Sequence, residues 1–189
     1  MAAWRRTLID CYVKANALSV GPYPLPGGGT GESYIDGRLV STRPACLRAI
    51  AMGMCHIIRL RRLMPSGCTL VAPVVSGVPI VVALALEVDE AFVMDRGDAK
   101  GHGMRKRFEG AFGRSQHCLV IDDLVATGAT ALKTISGLRD EGKLVCDIVV
   151  TVDRQEGGEE ALAAANVRLH ALVTKAELFA ALCEPGSRG

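Results

Sequence analysis

The sequence predicts an α/β fold in which a mainly parallel central sheet is flanked by helices, and three features carry that prediction. Short runs of β-branched and aliphatic residues, at 69–72, 91–94, 117–121 and 145–152, have the length and apolarity of strands buried on both faces. Between them lie stretches with helical spacing, such as Leu132, Ile135 and Leu138. The turns that join the two are small and polar, so each unit reads as strand, turn and helix.

Composition narrows the function classes. A chain of 189 residues fits one domain with room for a proper core. A net charge of +2 is too small to point to nucleic acid, and the sparse aromatic residues give no platform for stacking bases. Seven cysteines, at 11, 46, 55, 68, 118, 146 and 183, form an odd set without CxxC or Cys/His metal spacing. They read as buried thiols of a reducing cytoplasm, with a disulfide framework not expected. The uncharged stretch 68–86 is interrupted by Pro73, Ser76, Gly77 and Pro79, which makes it a strand, a turn and a buried helix; no membrane span or signal peptide is expected.

In order along the chain, Leu8, Tyr12, Ala15 and Leu18 share one helical face. Residues 21–31, rich in glycine and proline, read as a loop. A strand ending in a turn follows over 32–41, then a helix over 43–63, and a strand, a turn at Val75-Ser76-Gly77 and a helix over 69–80. After the strand at 91–94 the sequence changes character: from Asp95 to Arg107, glycines and small residues interleave with cations, the composition of a mobile loop that closes on a polyanion. A strand over 167–173 and a helix from Thr174 complete the chain.

The stretch around which these elements are organised is HCLVIDDLVATGAT, from His117 to Thr130. Its apolar half reads as a strand that Asp122 and Asp123 bring to an end, at the carboxyl edge where open α/β sheets place their ligands. Beyond them the hydroxyls of Thr127 and Thr130 and the free N–H groups of a helix start would make a phosphate cradle from Ala126, Thr127, Gly128, Ala129 and Thr130. Paired carboxylates accept hydrogen bonds from vicinal hydroxyls but repel phosphate. The arrangement therefore suits a phosphorylated pentose, with ribose on the acids and phosphate on the helix.

DDLVATGAT, preceded by Leu119-Val120-Ile121, resembles the signature by which type I phosphoribosyltransferases hold 5-phosphoribosyl 1-pyrophosphate (PRPP). Three further stretches resemble the orotate phosphoribosyltransferases among them: the Tyr34-Ile35-Asp36 strand leading through an arginine to a proline-containing helix start; Arg96, Ala99, Lys100, His102 and Gly103 in the cationic loop; and Asp153-Arg154-Gln155-Glu156-Gly157-Gly158 with the strand after it. The resemblance spans about 32–178. It implies a single phosphoribosyltransferase domain over 1–189, with a small N-terminal hood at roughly 1–40 and a core at roughly 41–183.

It also implies an activity: transfer of the phosphoribosyl group to orotate, giving orotidine 5'-monophosphate and pyrophosphate, in a cytoplasmic homodimer that shares loop 95–107 across its interface. Lys100, His102, Asp122 and Asp123 would be catalytic. Arg96, Ser76, Gly77, residues 126–130 and Arg154 would bind substrate, with Arg154 facing orotate because a guanidinium fork suits a planar acid. Magnesium is the implied cofactor, held by substrate oxygens more than by a protein cage.

Three positions depart from the family's pattern. Gly97 stands where a lysine commonly follows the loop arginine, Ala126 where a threonine often faces orotate, and no lysine occurs between Lys14 and Lys100, leaving Arg38, Arg43 or Arg61 as substitutes. A transferase for adenine or xanthine, and a non-catalytic PRPP sensor, remain alternatives on the sequence alone. Arg154 favours orotate over purines, which carry no carboxylate; Lys100 and His102 favour an enzyme over a sensor.

Overall fold

The structure, a computed structural model, describes residues 3–24, 30–97 and 106–183. Helix α1 (Ala3–Lys14) precedes the hairpin of β1 (Leu18–Pro24) and β2 (Thr30–Ile35), a two-stranded antiparallel sheet of its own. A one-turn helix α2 (Arg38–Ser41) and the long α3 (Pro44–Arg61) lead to β3 (Thr69–Pro73), α4 (Gly77–Val88), β4 (Phe92–Asp95) and β5 (Phe108–Gly110). Then come β6 (Cys118–Val125), α5 (Ala129–Asp140), β7 (Asp147–Asp153), α6 (Gly158–Ala164), β8 (Arg168–Thr174) and α7 (Lys175–Leu182).

The six-stranded sheet has the order β5-β4-β3-β6-β7-β8, parallel except for the antiparallel edge strand β5. This is the α/β architecture expected from the sequence. Alternation along the strands sorts the core into two layers. Leu70, Ala72, Leu119, Ile121 and Val149 face α1, α3, α4 and α7, whereas Val71, Val120, Ile148 and Val150 face α5 and α6. Pro44 opens α3 at a position where the missing N–H costs nothing, and α7 closes with a capping box between Thr174 and Glu177.

The chain leaves β3 for β4 in one direction and β6 for β7 in the other, so the order reverses between β3 and β6. Their pairing stops at Val71 and Val120, while β6 continues against β7 as far as Val125. A crevice therefore opens between the carboxyl ends of β3 and β6, the place where such sheets take ligands.

The structure corrects four sequence expectations. Asp122 and Asp123 do not end their strand, because β7 goes on pairing with β6 past them. Residues 18–24, partly read as loop, form β1, since antiparallel pairing with β2 overrides the low strand preference of glycine and proline at an edge. The strand expected over 32–41 stops at Ile35 and gives way to α2. Finally, Cys11 and Cys46 are joined in a disulfide between α1 and α3, where helix packing brings their Cα atoms within 5.7 Å; Cys55, Cys68, Cys118, Cys146 and Cys183 are free. Among the described residues no helix is long and apolar enough to cross a membrane.

Candidate active site

The crevice holds a pocket of about 240 Å³ lined by Ser76 and residues 122–131. One wall is the start of α5. Gly128 takes a left-handed conformation (φ 81°) that a side chain would strain, and through it β6 turns sharply into the helix. The first helical bond runs from the Leu132 N–H to the Gly128 carbonyl, and no side chain caps the turn. No carboxylate lies in that turn. The N–H groups at the start of α5 are thus left to an incoming anion, with the Thr127 and Thr130 residues exposed around them.

The opposite wall is the acidic pair. Asp122 and Asp123 are buried, at 5% and 8% exposure, although both line the pocket. Asp122 Oδ1 accepts from the Asp123 N–H (2.8 Å) and from Ser76 Oγ (3.3 Å), and Asp123 Oδ1 accepts from the Leu124 N–H (2.9 Å). Burial and the neighbouring Asp123 push the Asp122 carboxyl well above the usual carboxylate range.

Two glycines make this burial possible. A Cβ on Gly37, just before α2, would lie 2.8 Å from Asp123 Oδ2; one on Gly77 would lie 3.0 Å from the Ile121 carbonyl and 3.4 Å from Asp122 Oδ1. Gly77 was among the predicted site residues. Gly37 was not, and only its proximity to Asp123 in three dimensions reveals it.

The remaining predicted residues are placed as follows. Ser76 and residues 126–130 come together with the acids in the pocket. Arg96 lies beside it, in a smaller cavity of about 120 Å³ that also includes Val74, Asp95, Arg107, Thr130 and Lys133, and it pairs with Glu109 at 3.3 Å. Arg154 is one strand away. Its N–H donates to the Val125 carbonyl, its side chain pairs with Glu156 at 2.9 Å, and its buried Nε has no partner among the described residues. Lys100 and His102 lie outside the described residues.

None of the three candidate substitutes for the missing lysines lines the pocket. Arg38 pairs with Asp36, Arg43 donates to the Lys14 carbonyl, and Arg61 lines a separate cavity with Arg168 and His170. Among the described residues the pocket lining contains no cation at all. It also offers only two carboxylates, and among the described residues no group of three or more acidic, histidine or cysteine side chains is placed to hold a metal ion. That donor set fits a magnesium ion brought in on substrate oxygens and touched by Asp122 or Asp123, and does not fit a cage built by the protein.

A switch-point crevice with an anion-ready helix start on one side and paired acids on the other defines a phosphoribosyltransferase, and the phosphoribosyl transferase domain profile matches residues 57–169. The chain is 34% identical over 173 residues to the orotate phosphoribosyltransferase of Natronomonas pharaonis, covering 92% of this chain and 96% of that protein. It is 36% identical to that of Halobacterium salinarum, covering 91% and 95%. The crystal structure of orotate phosphoribosyltransferase from Aeropyrum pernix superposes with a TM-score of 0.82 at 27% identity, covering 95% of this chain and 99% of that one. The chain belongs to the orotate phosphoribosyltransferase family of type I phosphoribosyltransferases.

Proposed function

We propose that this protein transfers the 5-phosphoribosyl group of PRPP to orotate, releasing pyrophosphate and orotidine 5'-monophosphate for pyrimidine nucleotide synthesis. The observation that carries the reading is the uncapped, acid-free first turn of α5 facing a buried acid pair across one pocket. The 5'-phosphate sits on the N–H groups of residues 128–131, and the ribose hydroxyls bond to Asp122 and Asp123.

Displacement at the anomeric carbon develops positive charge on the ring and negative charge on the departing diphosphate. Two buried acids, one of them pushed toward its neutral form by burial and by its neighbour, have no cation in the pocket lining among the described residues. The ring cation supplies the positive charge, so the pair is better satisfied in the transition state than in the ground state. Arg96, Lys100 and His102 neutralise the leaving group. Asp122 and Asp123 would be the protein groups nearest a magnesium ion brought in with the substrate, and such an ion would supply further positive charge to the leaving group. Arg154, whose Nη2 pairs with Glu156 and whose buried Nε has no partner among the described residues, recognises the orotate carboxylate through its guanidinium. The working form is a cytoplasmic homodimer with loop 95–107 shared between subunits.

The test is pyrophosphate release over a panel of bases with PRPP and magnesium chloride present. Release with orotate and none with adenine or xanthine is expected. Release with adenine and none with orotate would overturn the assignment, and no release with any base would favour a PRPP-binding regulator.

A further inference from the structure

The cationic loop leaves the sheet at the end of β4 and returns at β5, and a single carboxylate holds both of its roots. Asp95, the last residue of β4, is 3% exposed. Its Oδ1 accepts from the Gly97 N–H (2.9 Å) on the outgoing side and from Arg107 Nε (2.9 Å) on the returning side. Its Oδ2 accepts from Arg107 Nη2 (3.1 Å) and from the buried hydroxyl of Thr134 (2.7 Å), one turn beyond Thr130 in α5. The Asp95 carbonyl takes the N–H of Val74, in the turn that follows β3. The backbone adds a bond between the roots, from the Arg96 N–H to the Arg107 carbonyl (3.0 Å).

Two glycines are shaped for this arrangement. Gly97 has a φ of 72°, a left-handed conformation that folds its N–H back onto Asp95, which gives a physical reason for glycine at a position where the family commonly has lysine. Gly137 in α5 leaves the space that the Arg107 guanidinium occupies: a methyl there would strike it. Arg107 Nη2 also donates to the Lys133 carbonyl (2.7 Å), tying the same guanidinium to the α5 backbone.

Asp95 is not among the residues lining the pocket that takes the sugar phosphate, yet it binds three elements that surround it. We infer that Asp95 is a positioning residue: with Arg107 and Thr134 it fixes the register of Arg96 and the loop roots against the phosphate-binding helix and the turn after β3. This rests on the phosphoribosyltransferase reading above, since only that reading gives α5 and Arg96 a common ligand. A bidentate arginine on a buried carboxylate holds one geometry where a single hydrogen bond would allow several, and displacement of a binding group by about 1 Å can lower rates roughly a hundredfold.

The experiment compares Asp95→Asn, Arg107→Gln, their double variant and Thr134→Val in the full chain. PRPP binding is measured by calorimetry with magnesium chloride, alongside the Michaelis constants for PRPP and orotate. The Asp95 and Arg107 variants are expected to weaken PRPP binding about tenfold or more, with the Michaelis constant for orotate little changed, and the double variant is expected to be no worse than the worse single one. Thr134→Val, which removes one hydroxyl at constant shape, is expected to show the same split at a few-fold. Folded Asp95→Asn with unchanged PRPP binding would overturn the inference; if that variant does not fold, unchanged binding by Thr134→Val overturns it instead. A uniform loss of active protein without the split also overturns it, by making the cluster merely structural. Wild-type protein that fails to bind PRPP would remove the parent reading, a result distinct from wild-type binding with unaffected variants.

Discussion

Helices α5 and α6 both begin at a glycine with left-handed backbone, Gly128 at φ 81° and Gly157 at φ 87°, and no side chain caps the first turn of either. Both follow strands of the same parallel sheet, β6 and β7, so their positive ends point out of the same edge. They differ in what stands in the first turn. α6 carries Glu159 and Glu160, whose charge already answers the helix dipole; α5 carries no acid there and leaves that task to a ligand. The same strand-turn-helix unit is thus finished with its dipole answered in one case and left open to an anion in the other, and the choice is made by side chains within one turn.

The largest way to sharpen the contrast is at the acid that faces the α5 seat. Asp122→Asn is expected to lower turnover by about a hundredfold to a thousandfold, the usual cost of removing a group aimed at developing charge. The same change is expected to stabilise the ligand-free protein. Because the folded protein raises the Asp122 pKa, the stability tied to this group is complete below the ordinary carboxylate pKa and is lost as pH rises through the raised one. At neutral pH keeping this carboxyl in the folded protein is a cost, and its removal is expected to raise the melting temperature by roughly 2–4 °C, what about 1 kcal/mol gives at this chain length. Thermal scans of both proteins from pH 4 to 8 check the sign: the wild type falls with pH relative to the variant.

Next in size is Thr130→Glu, which gives α5 the acid that α6 already has. PRPP affinity measured by calorimetry is expected to fall at least tenfold, with the melting temperature of the free protein unchanged or slightly raised. An affinity equal to wild type would mean that the phosphate does not sit on this turn. On the α6 side, Arg154→Ala is expected to raise the Michaelis constant for orotate several-fold or more while leaving that for PRPP nearly unchanged. Equal effects on the two substrates would remove Arg154 from the base. The smallest effect is expected from Glu159→Gln, a loss of about 0.3–1 kcal/mol in denaturant unfolding with no change in PRPP affinity, because here the dipole is answered for stability alone.

Much of this was legible from residues in a row. The run from Leu119 to Ile121 needed no partner to read as a buried strand, and the small hydroxyl-bearing residues after it announced a helix start open to phosphate. What failed to show depended on distant residues. β5 is three residues long and is a strand only because Val93, Met94 and Asp95 accept it at an edge. Cys11 and Cys46, 35 residues apart, meet through the packing of α1 on α3. The carboxylates at 122 and 123 looked like a strand end because charge avoids cores; instead Gly37, Gly77 and Ser76 close around them and keep them on a paired strand. Asp95 read as one more charge in a polar loop until the fold set it among Gly97, Arg107 and Thr134.

The two helix starts also lean on each other. A methyl placed on Gly158 would run into Val125 and the carbonyl of Ala126, and Gly128 in turn lies against the Gly158 backbone. The open turn before α5 and the turn that follows Arg154 are therefore one continuous piece of masonry. Residues or bulk inserted on the α6 side will therefore displace the start of α5 as well, so altering either turn has to proceed through exchanged side chains on an unmoved main chain.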